Sequence, residues 1–263
     1  MKAAWILTAA LGLWSSLPLN AGIQTDSVKY RQGDTVLEGY LAWDDARQER
    51  RPAVVIVHQW KGLTDYEKQR AKMLARLGYV AFAADIYGKG VRASDAQEAG
   101  KLAGKYKNDL PLLRARAQAA VDHIKSHKLV NSNQVAAIGY CFGGTTVLEL
   151  ARSGADVQGV VSFHGGLGTS LPAGKGEVKA RILVLHGADD PFSPAAEVAA
   201  LQKELTDAGA DWQLVMYGGA VHSFTDWNAG ADNSRGAAYN ERADKRSWAD
   251  MQQFLDELFA NRE

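Results

Sequence analysis

From residue 28 onward the apolar positions follow two alternating rhythms. Short, nearly continuous apolar runs occupy 52–58 (Pro-Ala-Val-Val-Ile-Val-His), 79–85, 135–140, 159–164, 181–186 and 212–217. Runs of this length suit strands buried on both faces. Between them lie stretches with helical spacing. Residues 65–77 place Ala71, Leu74, Ala75 and Leu77 on one face before Gly78, which predicts a helix and its stop. Residues 93–107 are helical but weakly amphipathic, whereas 111–127 group Leu113, Ala117, Ala120, Val121 and Ile124. Further helices are predicted at 142–152, 194–208 and 236–258, and a Gly-rich loop at 165–179. Ahead of all this, 28–30 and 36–43 read as a hairpin around Gln32-Gly33-Asp34. Strands alternating with helices predict an α/β fold, with a mostly parallel central sheet and helices on both faces. No linker or repeat interrupts the pattern, so residues 22–263 are expected to form one domain.

The first 21 residues break the rhythm. Met1-Lys2 is a short positive start, residues 3–13 are apolar, and residues 15–21 end in small residues. This layout predicts a secretory signal peptide cut near Ala21-Gly22. The apolar run is shorter than the roughly 20 residues of a spanning helix, which disfavours the alternative of a retained anchor. The expected location is the periplasm or the exterior, with no stable membrane association after cleavage. Lys+Arg and Asp+Glu both number 30, so the formal net charge is zero. Bulk electrostatics therefore favour neither nucleic acid nor an anionic membrane as partner. The single cysteine excludes an intramolecular disulfide and leaves no zinc-type Cys spacing.

That cysteine sits in Gly139-Tyr140-Cys141-Phe142-Gly143-Gly144, between a predicted strand and a predicted helix. The context is that of a nucleophile elbow with Cys in place of Ser. The bend is sharp and the nucleophile's backbone strained, so side chains two residues either side would collide; Gly139 and Gly143 leave room. A sulfur at a helix N-terminus also faces backbone N–H groups that favour the thiolate.

Open α/β sheets place their sites beyond the carboxyl ends of strands. Asp189 and Asp190 follow one later strand and His222 follows the last. Nucleophile, acid and histidine thus occur in the chain order of this fold. His222 would take the thiol proton and a carboxylate would orient its ring. On the residues alone either aspartate could serve. The oxyanion hole would use the N–H of Phe142 and one from the loop after 52–58, where Trp60 is favoured. The Gln59 side chain either approaches the sulfur or is a plain polar loop residue. Trp60, Phe142, Phe192, Phe224 and Trp227 are candidates for an apolar pocket. His58, His164 and His186 end strands at the same edge and could line it. His123 and His127, four apart, lack an HExxH context and are expected on a solvent-exposed helix face, so no metal or organic cofactor is expected.

Taken together, 57–62 (Val-His-Gln-Trp-Lys-Gly), 83–90 (Ala-Ala-Asp-Ile-Tyr-Gly-Lys-Gly), 139–144, 161–166 (Val-Ser-Phe-His-Gly-Gly), 186–194 (His-Gly-Ala-Asp-Asp-Pro-Phe-Ser-Pro) and His222-Ser-Phe resemble the dienelactone hydrolase family. The resemblance runs from about residue 28 to 258. It implies an α/β-hydrolase with a Cys-His-Asp triad, and its acid, just before a residue-Phe-residue-Pro stretch, maps to Asp190. Many family members carry Glu where this chain has Gln59, and a neutral amide cannot act as a base. The lactone enzyme holds its substrate carboxylate with two arginines. Lys89 lies near the first position, and Asp226, which would repel an anion, occupies the second. The expected function is hydrolysis of a small-molecule ester, lactone or thioester through an acyl-enzyme. A peptidase or general carboxylesterase on the same triad, or a catalytically silent binding protein, are the alternatives.

Overall fold

In the computed structural model the run at 52–58 becomes β3 (Arg51–Val57), whose residues from Ala53 on are all buried. Ala53, Val55 and Val57 face one apolar layer, and Val54 and Ile56 the other, as the two-residue period of a strand requires. The described residues are 22–260, and the predicted signal peptide at 1–21 lies outside them. Seven further strands share the sheet: β1 (Ile23–Gln32), β2 (Thr35–Asp44), β4 (Val80–Ala84), β5 (Val130–Tyr140), β6 (Gly159–Phe163), β7 (Arg181–Gly187) and β8 (Trp212–Tyr217). Their order is β1-β2-β4-β3-β5-β6-β7-β8. From β4 to β8 neighbours pair in parallel, and the β1–β2 hairpin joins antiparallel to β4.

The helices are α1 (Asp65–Arg76), α2 (Ala96–Lys107), α3 (Leu110–Lys125), α4 (Phe142–Arg152), α5 (Ala195–Ala208) and α6 (Glu241–Phe259). Leu113 and Val121 of α3, Val147 and Leu148 of α4 and Leu201 of α5 cover one face. Tyr66 and Leu74 of α1 with Met251, Phe254 and Leu255 of α6 cover the other. The α/β fold with helices on both faces is therefore as the sequence predicted.

The chain leaves β3 for β4 on one side, then crosses back to β5 on the other. Loops after β3 and β5 thus diverge, which opens a crevice at their carboxyl ends. That crevice receives Gln59-Trp60 from one strand and Cys141 from the other.

Several boundaries differ from expectation. β1 starts at Ile23 and β5 at Val130, five residues earlier than the apolar runs alone suggest. The α2 helix starts at Ala96, where the Asp95 side chain caps it; the Ala93 N–H instead bonds Lys61 O at 3.0 Å. The last helix starts at Glu241 rather than 236, capped by Asn240. The intervening backbone is committed elsewhere: His222 N–H bonds Gly236 O at 3.1 Å and Ala238 N–H bonds His222 O at 3.0 Å. Those two bonds pin the His222 loop.

Candidate active site

The strand-to-helix bend after β5 places Cys141 at φ 55° and ψ −113°, immediately before α4, with no side chain capping the helix. The first amides of α4 are thereby left facing the sulfur. A Cβ on Gly139 would stand 2.0 Å from Gly143 O, and one on Gly143 would stand 2.1 Å from Val57 O. Both glycines are thus required by close backbone approach, one within the bend and the other between α4 and the end of β3.

His222 Nε2 lies 3.1 Å from Cys141 Sγ, and His222 Nδ1 lies 2.8 Å from Asp190 Oδ2. The other carboxylate oxygen accepts the Phe192 N–H at 2.8 Å. Asp190 is buried and Asp189 exposed, and of the two it is Asp190 whose carboxylate meets the His222 ring. Burial alone would raise the Cys141 thiol pKa. The charge and hydrogen bond of His222, the Phe142 N–H and the charge of Lys107 outweigh it and hold the thiol below its ordinary value. Burial would likewise lower the His222 pKa, but the thiolate and Asp190 push it up to about 10. Both shifts run in the direction that favours a thiolate beside an imidazolium.

The loop after β3 is shaped by Glu67, which is fully buried. Its Oε1 accepts the Gln59 N–H at 3.0 Å, and its Oε2 accepts the Thr64 N–H and hydroxyl, each at 2.8 Å. This capping box of α1 also fixes the turn at Trp60. The Trp60 carbonyl accepts the Tyr87 hydroxyl at 2.9 Å. Among the described residues the Trp60 N–H has no acceptor.

The remaining expected pocket residues divide. Gln59 does not reach the sulfur; its Nε2 donates to Asp226 Oδ2 at 3.1 Å. Gln59, Trp60, Tyr66, Ser223, Asp226 and Arg235 line a cleft of about 550 Å³. Phe192 is 59% exposed and stands edge-on to the His222 ring at 5.4 Å. Phe224, by contrast, is fully buried against His164 and Tyr217. The turn at Ser223, φ 57°, sends it into the core, not a pocket. Lys89 is also displaced: its N–H bonds Val36 O at 2.9 Å and its ammonium pairs with Glu38 at 3.0 Å. It is tied to β2 and lines a separate surface cleft with Lys29, Arg31 and Val36.

None of the three strand-end histidines lines the cleft. His58 is buried, with Nδ1 2.6 Å from Gln59 O and Nε2 accepting the Ile86 N–H at 3.2 Å. His164 and His186 are buried too, and His164 meets Cys141 from beneath. His123 and His127 are half-buried rather than exposed, because His123 stacks on Tyr30 at 5.3 Å and His127 lies near Trp43. Among the described residues no group of three His, Cys, Asp or Glu side chains could hold a metal.

Sequence reasoning missed Glu67, Tyr87, Arg235, Lys107 and Thr225. Only Glu67 carried a signal, the Thr-x-x-Glu at 64–67 that marks a capping box.

Comparison with known proteins places this geometry in context. A family model described as the dienelactone hydrolase family matches residues 37–259. A solved structure of a dienelactone hydrolase-like promiscuous phosphotriesterase, P91 from metagenomic libraries, is 41% identical with a TM-score of 0.85, covering 90% of this chain and 99% of that one. A Bradyrhizobium sp protein named a probable 2-oxo-3-(5-oxofuran-2-ylidene)propanoate lactonase is 29% identical over 186 residues, 66% of this chain and 74% of its own length. A dienelactone hydrolase from Anabaena variabilis shares the fold at 20% identity and a TM-score of 0.64, covering 90% and 98% of the two chains.

Proposed function

We propose, from the premise that this chain belongs to the dienelactone hydrolase family and is an ester or lactone hydrolase, that it works through Cys141, His222 and Asp190 with an acyl-enzyme intermediate. The Cys141 thiolate attacks the carbonyl carbon. The oxyanion that forms is held by the N–H groups of Phe142 and Trp60. His222 gives its proton to the leaving oxygen, the C–O bond breaks, and a thioester remains on Cys141. His222 then takes a proton from water, which attacks the thioester and frees the acid and the thiolate. The Asp190 carboxylate keeps the imidazole in line throughout.

The observation that carries this reading is the continuous line from sulfur to imidazole to carboxylate, at 3.1 and 2.8 Å. Asp226, held beside the cleft by Gln59, favours acyl groups or alcohols without a carboxylate on that side. The test is rapid mixing with a 4-nitrophenyl ester followed by intact-mass analysis. An added acyl group on the wild type, absent from Cys141→Ala, supports the mechanism. No adduct and no turnover would instead identify a binding protein, and peptide cleavage would identify a peptidase.

The 41% identical neighbour is named a phosphotriesterase, and this favours a second reading. The same thiolate could attack a phosphotriester, with an aryloxide as leaving group and a phosphorylated Cys141 to be hydrolysed. Release of 4-nitrophenol from a dialkyl nitrophenyl phosphate would measure it. The leader pattern at 1–21 supports action outside the cytoplasm, which N-terminal sequencing of secreted material tests.

A further inference from the structure

Among the described residues, three that are not glycine have positive φ: Cys141 at 55°, His164 at 39° and Ser223 at 57°. Such conformations are strained in a residue with a Cβ and persist where the surroundings over-determine them. All three meet at the proposed site. Cys141 and Ser223 are the nucleophile and the neighbour of the base. His164 has no place in the acyl-transfer steps above, yet it is held as tightly as either.

The bonds to His164 have a forced direction. Its own N–H donates to Leu185 O at 2.9 Å. The Cys141 backbone N–H lies 3.1 Å from His164 Nδ1 and 3.0 Å from Phe163 O. An amide can only donate, so Nδ1 is unprotonated and the bond is three-centred. The neutral ring therefore carries its proton on Nε2, which donates to Thr225 Oγ1 at 2.7 Å. Thr225 is buried and is held in turn. Its Oγ1 lies 2.7 Å from Tyr66 Oη, and its carbonyl accepts Arg70 Nη2 at 3.0 Å. Arg70 Nε donates to Tyr66 Oη at 3.2 Å, and Arg70 Nη2 pairs with Asp244 at 2.5 Å. Arg70 is 2% exposed and is enclosed by Tyr66, Tyr140, Trp227 and Trp248 at 4.7 to 5.5 Å.

We propose that His164 is a positioning residue for the reaction, a neutral acceptor that clamps the nucleophile's own amide while its ring buttresses the base. The proposal rests on the Cys-His-Asp reading. The Cys141 carbonyl is already fixed from the helix side by the Thr145 N–H at 3.2 Å. With its N–H held from below, Cys141 cannot turn about φ, and Sγ stays in line with His222 Nε2. The same ring stands edge-on to His222 at 5.3 Å, so one side chain sets both partners of the 3.1 Å contact. The chain through Thr225 and Tyr66 to Arg70 keeps the His164 ring from rotating. A second proton on the ring would set donor against donor at Cys141 and place a cation against the His222 imidazolium. Burial, reinforced by the His222 charge, holds the His164 pKa well below the usual range.

Three variants test this. His164→Asn keeps an acceptor near the Nδ1 position and tolerates positive φ. His164→Gln keeps only the far donor. Thr225→Val keeps the ring but removes its hydroxyl anchor. The measurements are kcat and KM on a 4-nitrophenyl ester, the pH dependence of iodoacetamide alkylation of Cys141, and the melting temperature. His164→Gln should lower kcat about 10- to 100-fold, since small misplacements of reacting atoms have such effects, with KM changed by less than about twofold. Its alkylation midpoint should rise towards that of an ordinary thiol. His164→Asn should recover most of both, and Thr225→Val should fall between. Should His164→Gln fail to fold, Thr225→Val decides alone. Wild-type kcat and alkylation profile in folded His164→Gln or in Thr225→Val would overturn the proposal. So would His164→Asn as impaired as His164→Gln at unchanged melting temperature. Absence of turnover and of selective alkylation in the wild type would overturn the triad reading itself, a distinct result.

Discussion

Replacing Asp190 by asparagine changes one oxygen to NH2 and nearly nothing else in size. The outcome follows from which way the amide must face. The Phe192 N–H, 2.8 Å from Asp190 Oδ1, can only donate, so the new carbonyl oxygen is held there. The NH2 is then turned to His222 Nδ1, 2.8 Å away. Two consequences follow. The imidazolium, which needs acceptors at both nitrogens, meets a donor at Nδ1 and is destabilised. The neutral ring accepts at Nδ1 and so carries its proton on Nε2, facing the sulfur, where it cannot take the thiol proton. Loss of a charge-assisted hydrogen bond is worth about 1.5–3 kcal/mol, which is about 10- to 150-fold in rate. The wrong tautomer raises the loss towards about 10⁴-fold. We therefore expect Asp190→Asn to lower kcat by 10² to 10⁴ (order of magnitude) with little change in KM, and to move the alkylation midpoint of Cys141 upward. The assay is steady-state hydrolysis of a 4-nitrophenyl ester at neutral pH beside iodoacetamide kinetics on the same samples. A fall of less than about tenfold in a folded variant would refute the assigned role of Asp190.

Three further outcomes follow from the same structure. The thiol pKa is lowered, so the charged nucleophile persists below the ordinary thiol range and is lost only as pH falls through that lowered value; the His222 pKa is raised to about 10, so the high-pH limb should lie near there. Alkylation of Cys141 should set in at lower pH than that of an ordinary thiol, whereas His222→Ala should shift the rising limb back up towards the ordinary thiol range; identical profiles would contradict the ion pair. Asp226→Asn removes a charge bonded to Gln59, and with about 1 kcal/mol of repulsion left after screening in a half-exposed cleft it should improve kcat/KM about fivefold for carboxylate-bearing esters over neutral ones, as competition assays would show; an unchanged ratio would remove Asp226 from substrate selection. Arg70→Met leaves the Asp244 carboxylate without its partner and should destabilise the fold by about 3–5 kcal/mol in urea titration, a change under about 1 kcal/mol meaning that the buried pair contributes little.

Much of the fold could be read from the sequence because its parallel strands are covered on both faces. Each shows up as a bounded apolar run, and β3, β4 and β6 match theirs within a residue or so. The proposed triad was legible for a similar reason. The glycines around Cys141 are imposed by backbone contacts of about 2 Å between a Cβ and a carbonyl, and these leave a local trace. Asp190 and His222 each follow a strand end, which fixes their order. What could not be read is long-range polar bonding. Glu67 and Arg70 stand three apart in a helix, the spacing of a solvent-exposed ion pair, yet both are buried and bond to different loops. Lys89 and Phe224 sit beside site residues in sequence, but the Val36 carbonyl and the turn at Ser223 take them elsewhere. The late start of α6 was hidden because Gly236 and Ala238 serve the His222 loop before the helix can begin.

The β8 strand borders the sheet with a neighbour on one side, and its pattern of exposure runs from half-buried to exposed until Tyr217. It nonetheless delivers the loop bearing His222, whereas Cys141 is delivered from β5 in the interior. Edge elements with few covered bonds open at lower free energy than central ones. Gentle heating or mild urea should therefore silence turnover while most of the far-ultraviolet circular dichroism endures, with recovery on dilution. That outcome would make catalytic competence more fragile than foldedness, with its margin set at the rim of the sheet.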